Sequence, residues 1–214
     1  MTPSDTPGPV PGSGDAAVRA AAERAETTRH RNVPQFDDLP VPGDTANLRE
    51  GPDLHDQCLP LLPLVGVWRG EGEVVYPTLD KTYRFGQQLT ISHDGRPFLF
   101  HESRAWLLDD DAKVIRPAAR EVGWWRPHPG DNIELLLTHA TGIMEIFIGA
   151  PRGQTSWELA TDAVARTETA KEITGAKRLY GLVNNGDLAY VEERAMVGRP
   201  LQPHTSAVLT RVVG

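Results

Sequence analysis

Gly66-Val67-Trp68-Arg69-Gly70-Glu71-Gly72 is the stretch that decides how this chain folds. In an extended strand alternate residues share a face, so Trp68, Gly70, Gly72 and Val74 point one way while Arg69, Glu71 and Glu73 point the other. One face is nearly empty apart from an indole. Glycine weakens a strand, and two of them directly after a tryptophan fit a place where a ring closes the floor of a cavity and the backbone above leaves room for a ligand. That is how a small ligand-holding β-barrel begins.

Downstream of Gly66 the texture supports it. Runs of 8 to 14 residues rich in β-branched and aromatic side chains follow one another, each bounded by turn signals. The expected strands are 66–76, 82–93, 97–108, 112–126, 131–139, 142–150, 154–163, 170–184, 187–196 and 204–213. The breaks carry turn chemistry, as in His93-Asp94-Gly95-Arg96, Pro127-His128-Pro129-Gly130 and Asn184-Asn185-Gly186-Asp187. No helical pattern interrupts the series, so an all-β, ten-stranded antiparallel up-and-down barrel is expected, closure removing the exposed edges.

Upstream lies a leader, residues 1–56, distinct from the barrel domain, residues 57–214. Eight of the 18 prolines fall in it, with ten Asp/Glu against five Lys/Arg. Most of the formal charge of −7 therefore belongs to the leader. Residues 1–14 are rich in Pro, Gly, Ser and Thr and are expected to be disordered. Asp15 is expected to cap a short Ala-rich helix over about 16–29, and Leu54 to Leu64 reads as a short helix leading into the barrel.

Composition closes off several classes. A pI near 5.5 argues against a nucleic-acid partner, which calls for a concentrated basic face. Cys58 is the sole cysteine, so neither an internal disulfide nor a multi-cysteine metal site can be built. Nothing resembles a signal peptide or approaches the ~20 apolar residues of a membrane span, and a cytoplasmic location without membrane partners is the expectation. Homodimerisation is left open.

The barrel resembles a known family. Gly66 to Gly72 fits the Gly-x-Trp-x-Gly-x-Gly signature of the nitrobindins, followed by Tyr76-Pro77-Thr78, Gly95-Arg96-Pro97-Phe98-Leu99, Glu121-Val122-Gly123-Trp124, His139 to Glu145, Ala170-Lys171-Glu172 and Gly198-Arg199-Pro200-Leu201-Gln202-Pro203-His204. The likeness covers roughly residues 57–213. It implies a barrel similar to fatty-acid-binding proteins without their helical lid, holding a ferric b-type heme at its mouth, converting peroxynitrite to nitrate and binding nitric oxide. By motif His204 takes the axial iron position, Thr78 a heme contact and Lys171 a second contact, while Gly66, Trp68, Gly70 and Gly72 are structural. The run Asp80-Lys81-Thr82-Tyr83-Arg84-Phe85 departs from the family's more apolar pattern, and the long leader from its simplest members.

The residues alone are compatible with that chemistry. A porphyrin supplies four equatorial nitrogens, so one imidazole suffices, and the iron rather than any side chain acts as Lewis acid, which leaves no catalytic residue to name. Read on its own, Trp68 is a structural plug, Thr78 a turn residue beside Pro77, and Lys171 a surface cation. His30, His55, His93, His128 and His139 lie in the leader or at turns and are expected to be solvated. The facing of His101 is ambiguous. Trp124 and Trp125 are adjacent, so only one can enter the lumen. Related barrels often stack a last-strand cation on the floor tryptophan, yet Arg211 and His204 have opposite parity: either a bulge intervenes or Arg211 does not touch Trp68. The alternative function is a non-enzymatic carrier or sensor of a small lipophilic ligand without stable heme; a third is a structural paralogue whose leader binds a partner.

Overall fold

The computed structural model describes residues 14–33, 38–183 and 185–214. Residues 1–13, most of the stretch expected to be disordered, lie outside the described residues, as do 34–37 and Asn184 of the expected Asn-Asn-Gly-Asp turn. Two compact units divide the chain, Met1–Pro40 and Val41–Gly214.

The first unit contains helix α1 (Asp15–Thr27). Gly14, in the left-handed region, occupies the N-cap, so Asp15 is the first helical residue rather than the cap expected of it.

The second unit is an all-β barrel of ten antiparallel strands: β1 (Gly66–Val74), β2 (Tyr83–Ser92), β3 (Leu99–Leu108), β4 (Val114–His128), β5 (Asn132–His139), β6 (Ile143–Gly153), β7 (Ser156–Arg166), β8 (Ile173–Leu182), β9 (Leu188–Met196) and β10 (Gln202–Val213). Each pairs with its neighbour in sequence and β1 pairs with β10, so the sheet closes without an edge. The ten strands fall where alternation and turn chemistry put them, with ends shifted by a few residues.

Asp56–Leu64 seals one end as a 3-10 helix, into which Pro60 and Pro63 are built. Proline offers no N–H, so two of the bonds an α-helix would need are missing and the tighter, shorter form results. Cys58, Leu61, Leu64 and Val65 are fully buried beneath the barrel. The segment's carbonyls are then claimed from inside: Trp68 Nε1 donates to Leu64 O at 2.9 Å and Trp157 Nε1 to Pro60 O at 3.0 Å. Arg211 donates to Val65 O at 2.6 Å and Pro63 O at 2.7 Å, and its guanidinium lies 4.1 Å from the centre of the Trp68 ring. Just ahead of this helix, Thr45 forms a bridge with His93 at the end of β2.

The Arg211 question is thereby answered. Trp68 pairs with Arg211, and the β10–β9 register slips between Pro203 and Thr205, so His204 sits in a bulge. A bulge lets a strand change facing without breaking, which puts His204 and Arg211 on the inside despite their parity.

The glycines of the opening motif turn out to serve the strands. A Cβ on Gly70 would come within 2.1 Å of Val208 O, and one on Gly72 within 2.2 Å of Ser206 O and 2.6 Å of the Phe85 ring. Their need is close approach of β1 to β10, not empty space for a ligand. Trp125 is fully buried while Trp124 is 44% exposed, as their adjacency requires.

Candidate functional site

The lumen contains a cavity of about 560 Å³ that runs from the open end, at Val74, Lys171 and His204, inward to Leu89, His101 and Tyr180. That volume lies in the range of small-molecule and cofactor sites, ~300–1,000 Å³.

His204 is held at the rim by the chain that crosses in front of it. Val75 N–H donates to His204 O at 2.8 Å, and the Val75 carbonyl lies 3.2 Å from His204 Nδ1. A carbonyl only accepts, so Nδ1 carries the proton and Nε2 keeps its lone pair. Among the described residues Nε2 has no hydrogen-bond partner. Burial pushes the imidazole's pKa below its usual value, with Glu192 partly offsetting, so the ring is neutral at pH 7. Tyr76 packs its ring edge-on against the imidazole, centroids 5.7 Å apart. Its own hydroxyl is fixed to β9, accepting from Met196 N–H at 3.0 Å. A neutral imidazole with one nitrogen tied to a backbone carbonyl and the other free is how proteins prepare a histidine for metal.

Of the other expected contacts, Lys171 is exposed in the segment before β8 and lines the same cavity. Thr78 is exposed in the β1–β2 turn, two residues beyond Tyr76, and is not among the cavity's lining residues.

Behind His204 lies a feature that inspection of the sequence missed. The buried Arg178, Glu192, Arg194, His139 and Glu145, with the partly buried Glu121, form a belt of polar and charged groups across the lumen. Arg178 on β8 reaches Glu121 on β4 through two bonds, 2.7 and 3.0 Å, and contacts Glu192 at 2.5 Å. Arg194 on β9 reaches Glu145 on β6 at 3.0 Å and also pairs with Glu192. Strand β8 is not a neighbour of β4, nor β9 of β6, so the Arg178–Glu121 and Arg194–Glu145 pairs are struts spanning the interior, while Glu192 sits across from Arg178 in the β8–β9 ladder and on the same strand as Arg194. Burial would raise the Glu121 pKa, but the Arg178 guanidinium and its hydrogen bonds, with the His101 ring nearby, hold it well below the carboxylate range. Burial alone would lower that of Arg178; Glu121 and Glu192 lift it well above instead. Burial pushes the Tyr180 hydroxyl up to about 12.

Two histidines expected in solvent are inside. His139 is buried, 2.6 Å from Glu145 and 3.6 Å from Glu121, because β5 carries Leu135, Leu137 and His139 on one inward face. His93 is 1% exposed, covered at the closed end where Thr45 pairs with it, and neither ring nitrogen has a partner among the described residues. His101, whose facing was ambiguous, points inward with Leu99 and Ser103.

Among the described residues no group of three His, Cys, Asp or Glu side chains is arranged to hold a metal ion. A single prepared imidazole at the mouth of a largely apolar cavity fits instead a metal that arrives with its own equatorial ligands, as in a heme. No helix of the described residues is long and apolar enough to cross a membrane.

A ferric nitrobindin-like protein of Saccharopolyspora erythraea is 63% identical over the full length of both chains. Peroxynitrite isomerase 1 of Mycobacterium marinum is 55% identical over 98% of this chain and 97% of its own. The crystal structure of Rv2717c from M. tuberculosis superposes with a TM-score of 0.67 at 32% identity, covering 74% of this chain and 99% of that one. The THAP4-like, heme-binding beta-barrel domain matches residues 57–211, and the chain belongs to that family.

Proposed function

We propose that this chain binds ferric b-type heme through His204 Nε2 and isomerises peroxynitrite to nitrate, with nitric oxide as a further ligand of the same iron. The observation that carries the reading is the state of His204: neutral, tied through Nδ1 to Val75 O, and free at Nε2 on the rim of the cavity. Family membership and relatives named peroxynitrite isomerase support the reaction.

The heme, when bound, supplies the Lewis acid that the isomerisation requires. The chain's residues hold and shelter. Val75 and Tyr76 fix the plane of the imidazole, which keeps the ligating nitrogen from swinging out of line. Lys171 at the rim places a cation on the approach of an anionic substrate, and Thr78, exposed in the turn that follows Tyr76 and outside the cavity lining, would meet the heme at its outer edge. Apolar wall residues such as Val74, Phe85 and Ile143 exclude water from the lumen. With the sole cysteine free and buried, a reducing cytoplasm is the compartment that suits the chain.

The test is reconstitution with ferric hemin. A sharp Soret band is expected, lost in His204→Ala while far-UV circular dichroism stays β-rich. Heme-loaded protein is expected to speed peroxynitrite decay to nitrate and to protect free tyrosine from nitration; the apo-protein does neither. An unchanged Soret band and hemin affinity in His204→Ala would overturn the ligand. Failure of the unmodified protein to take up hemin would overturn the function and favour a carrier.

A further inference from the structure

The inner half of the lumen, beyond the struts, carries hydrogen-bonding capacity that the protein leaves unused. His101 is 1% exposed and lines the cavity. Its Nδ1 accepts from Trp125 Nε1 at 3.2 Å, which puts the ring proton on Nε2. That Nε2–H has no hydrogen-bond partner among the described residues; the nearest carboxylate oxygen, on Glu121, is 3.6 Å away. Two residues along the same face, Ser103 also lines the cavity, and its Oγ accepts from Gln87 Nε2 at 2.8 Å. Ser103 Oγ is thereby held in place with its own proton to give. Buried donors are nearly always matched, and an unmatched one facing a cavity marks a place where something else accepts.

The charge around this pair defines what can enter. Three carboxylates, Glu121, Glu145 and Glu192, face two guanidiniums, Arg178 and Arg194. His101 is kept neutral, burial driving its pKa down against the pull of Glu121. Whether or not His139 carries a proton, the belt sums to minus one or zero. Both guanidiniums are already committed to carboxylates, and Lys171 stands at the open end, so an acid group at the inner end would lose its hydration and find no free cation there.

We propose that the inner lumen is a binding site for a small neutral molecule with one acceptor oxygen on an apolar body, such as an alkanol or a primary amide. The oxygen takes the His101 Nε2–H and the Ser103 hydroxyl proton, and the body lies against Leu89, Phe85 and the Tyr180 ring. An inner end that would suit a carboxylic acid by shape rejects it by charge. This site lies at the inner end of the same cavity and uses neither His204 nor Lys171.

The test uses the full chain without added hemin and three probes of equal length: 1-hexanol, hexanamide and hexanoate. Saturation-transfer NMR titrations read affinity, and ¹⁵N-histidine labelling follows the His101 Nε2–H resonance. The two neutral probes are expected to bind and to shift that resonance, with hexanoate at least about tenfold weaker, a lower bound on the effect of stranding a buried charge. Ser103→Ala and His101→Phe are each expected to weaken hexanol by roughly threefold to tenfold. Because His101→Phe strands the Trp125 N–H, the wild-type comparison of the three probes decides the matter by itself. Equal affinity for hexanoate and hexanol would overturn the proposal. So would a His101 signal untouched by all three, which would assign the unused donors to ordered water.

Discussion

Trp68 is where the floor of the barrel can be weighed. Trp68→Ala removes a side chain with 0% exposure, and truncating a buried large aromatic costs about 3–5 kcal/mol. It also deletes the bond to Leu64 O, leaving that carbonyl inside without its donor, about 1 kcal/mol more. The stacked Arg211 loses its ring, but keeps Val65 O and Pro63 O, so the cation–π part adds at most about 1 kcal/mol. Contacts that share partners do not sum fully, and a total of about 4–6 kcal/mol is expected. Against the 5–15 kcal/mol typical of a domain that is severe, so Trp68→Phe and Trp68→Leu belong in the series. The Phe variant keeps most of the packing and loses the bond, at about 1–2 kcal/mol. Urea unfolding followed by circular dichroism reads these differences; with a slope of about 2–3 kcal/mol/M the Ala midpoint falls by roughly 1.5–2.5 M. A loss in Trp68→Ala below about 1.5 kcal/mol would refute the reasoning, since no residue truly closing the floor is that dispensable.

Arg178→Met should cost about 3–5 kcal/mol, because Glu121 and Glu192 are then buried without their shared cation, and urea midpoints at neutral pH are the check. His93 and His101 have folded pKa values depressed by burial below the unfolded 6.5, so the unfolded chain takes up protons first; stability is full above about pH 6.5 and falls as pH drops toward 5. Replacing His93 by Phe is expected to flatten that fall in urea midpoints measured at pH 8, 6 and 5. Deleting residues 1–40 is expected to leave barrel stability and hemin uptake unchanged, whereas deleting 1–56 also removes the Thr45–His93 bridge and lowers the urea midpoint.

The strand rhythm was legible because each strand announces itself twice, by alternation and by the turn that ends it. Asn185-Gly186 and Thr141-Gly142 needed nothing beyond the left-handed conformation that glycine adopts, and Gly142 indeed has φ +86° and Gly186 +84°. The adjacency of Trp124 and Trp125 was equally decisive. The inside of the lumen was harder. Alternation assigns apolar residues inward, but on β9 it is Tyr190, Glu192 and Arg194 that face in while Val191 is 48% exposed. A lumen that is not a filled core inverts the rule. His139 was readable by parity with Leu135 and Leu137, and its place at a strand end hid it. His93 could not be read at all, because what buries it is a segment 48 residues earlier in the chain.

The belt makes sense only as architecture for a hole. Buried ion pairs seldom stabilise a fold relative to well-packed apolar side chains, so five charged groups at the centre are a poor way to gain stability. Apolar residues of the same volume, however, would collapse on one another at the density of an ordinary interior and erase the cavity. Side chains locked by mutual bonds cannot do that. Arg178 stands because Glu121 and Glu192 hold it from two other strands, and Arg194 because Glu145 holds it from across the lumen and Glu192 from its own strand. Glu192 pairs across from Thr205, the neighbour of His204 in the bulge, so the struts brace the wall that carries the imidazole. The position of that ring thus depends on residues from five strands, β4, β6, β8, β9 and β10, on Val75 and Tyr76 just past β1, and on a closed sheet that keeps them in register.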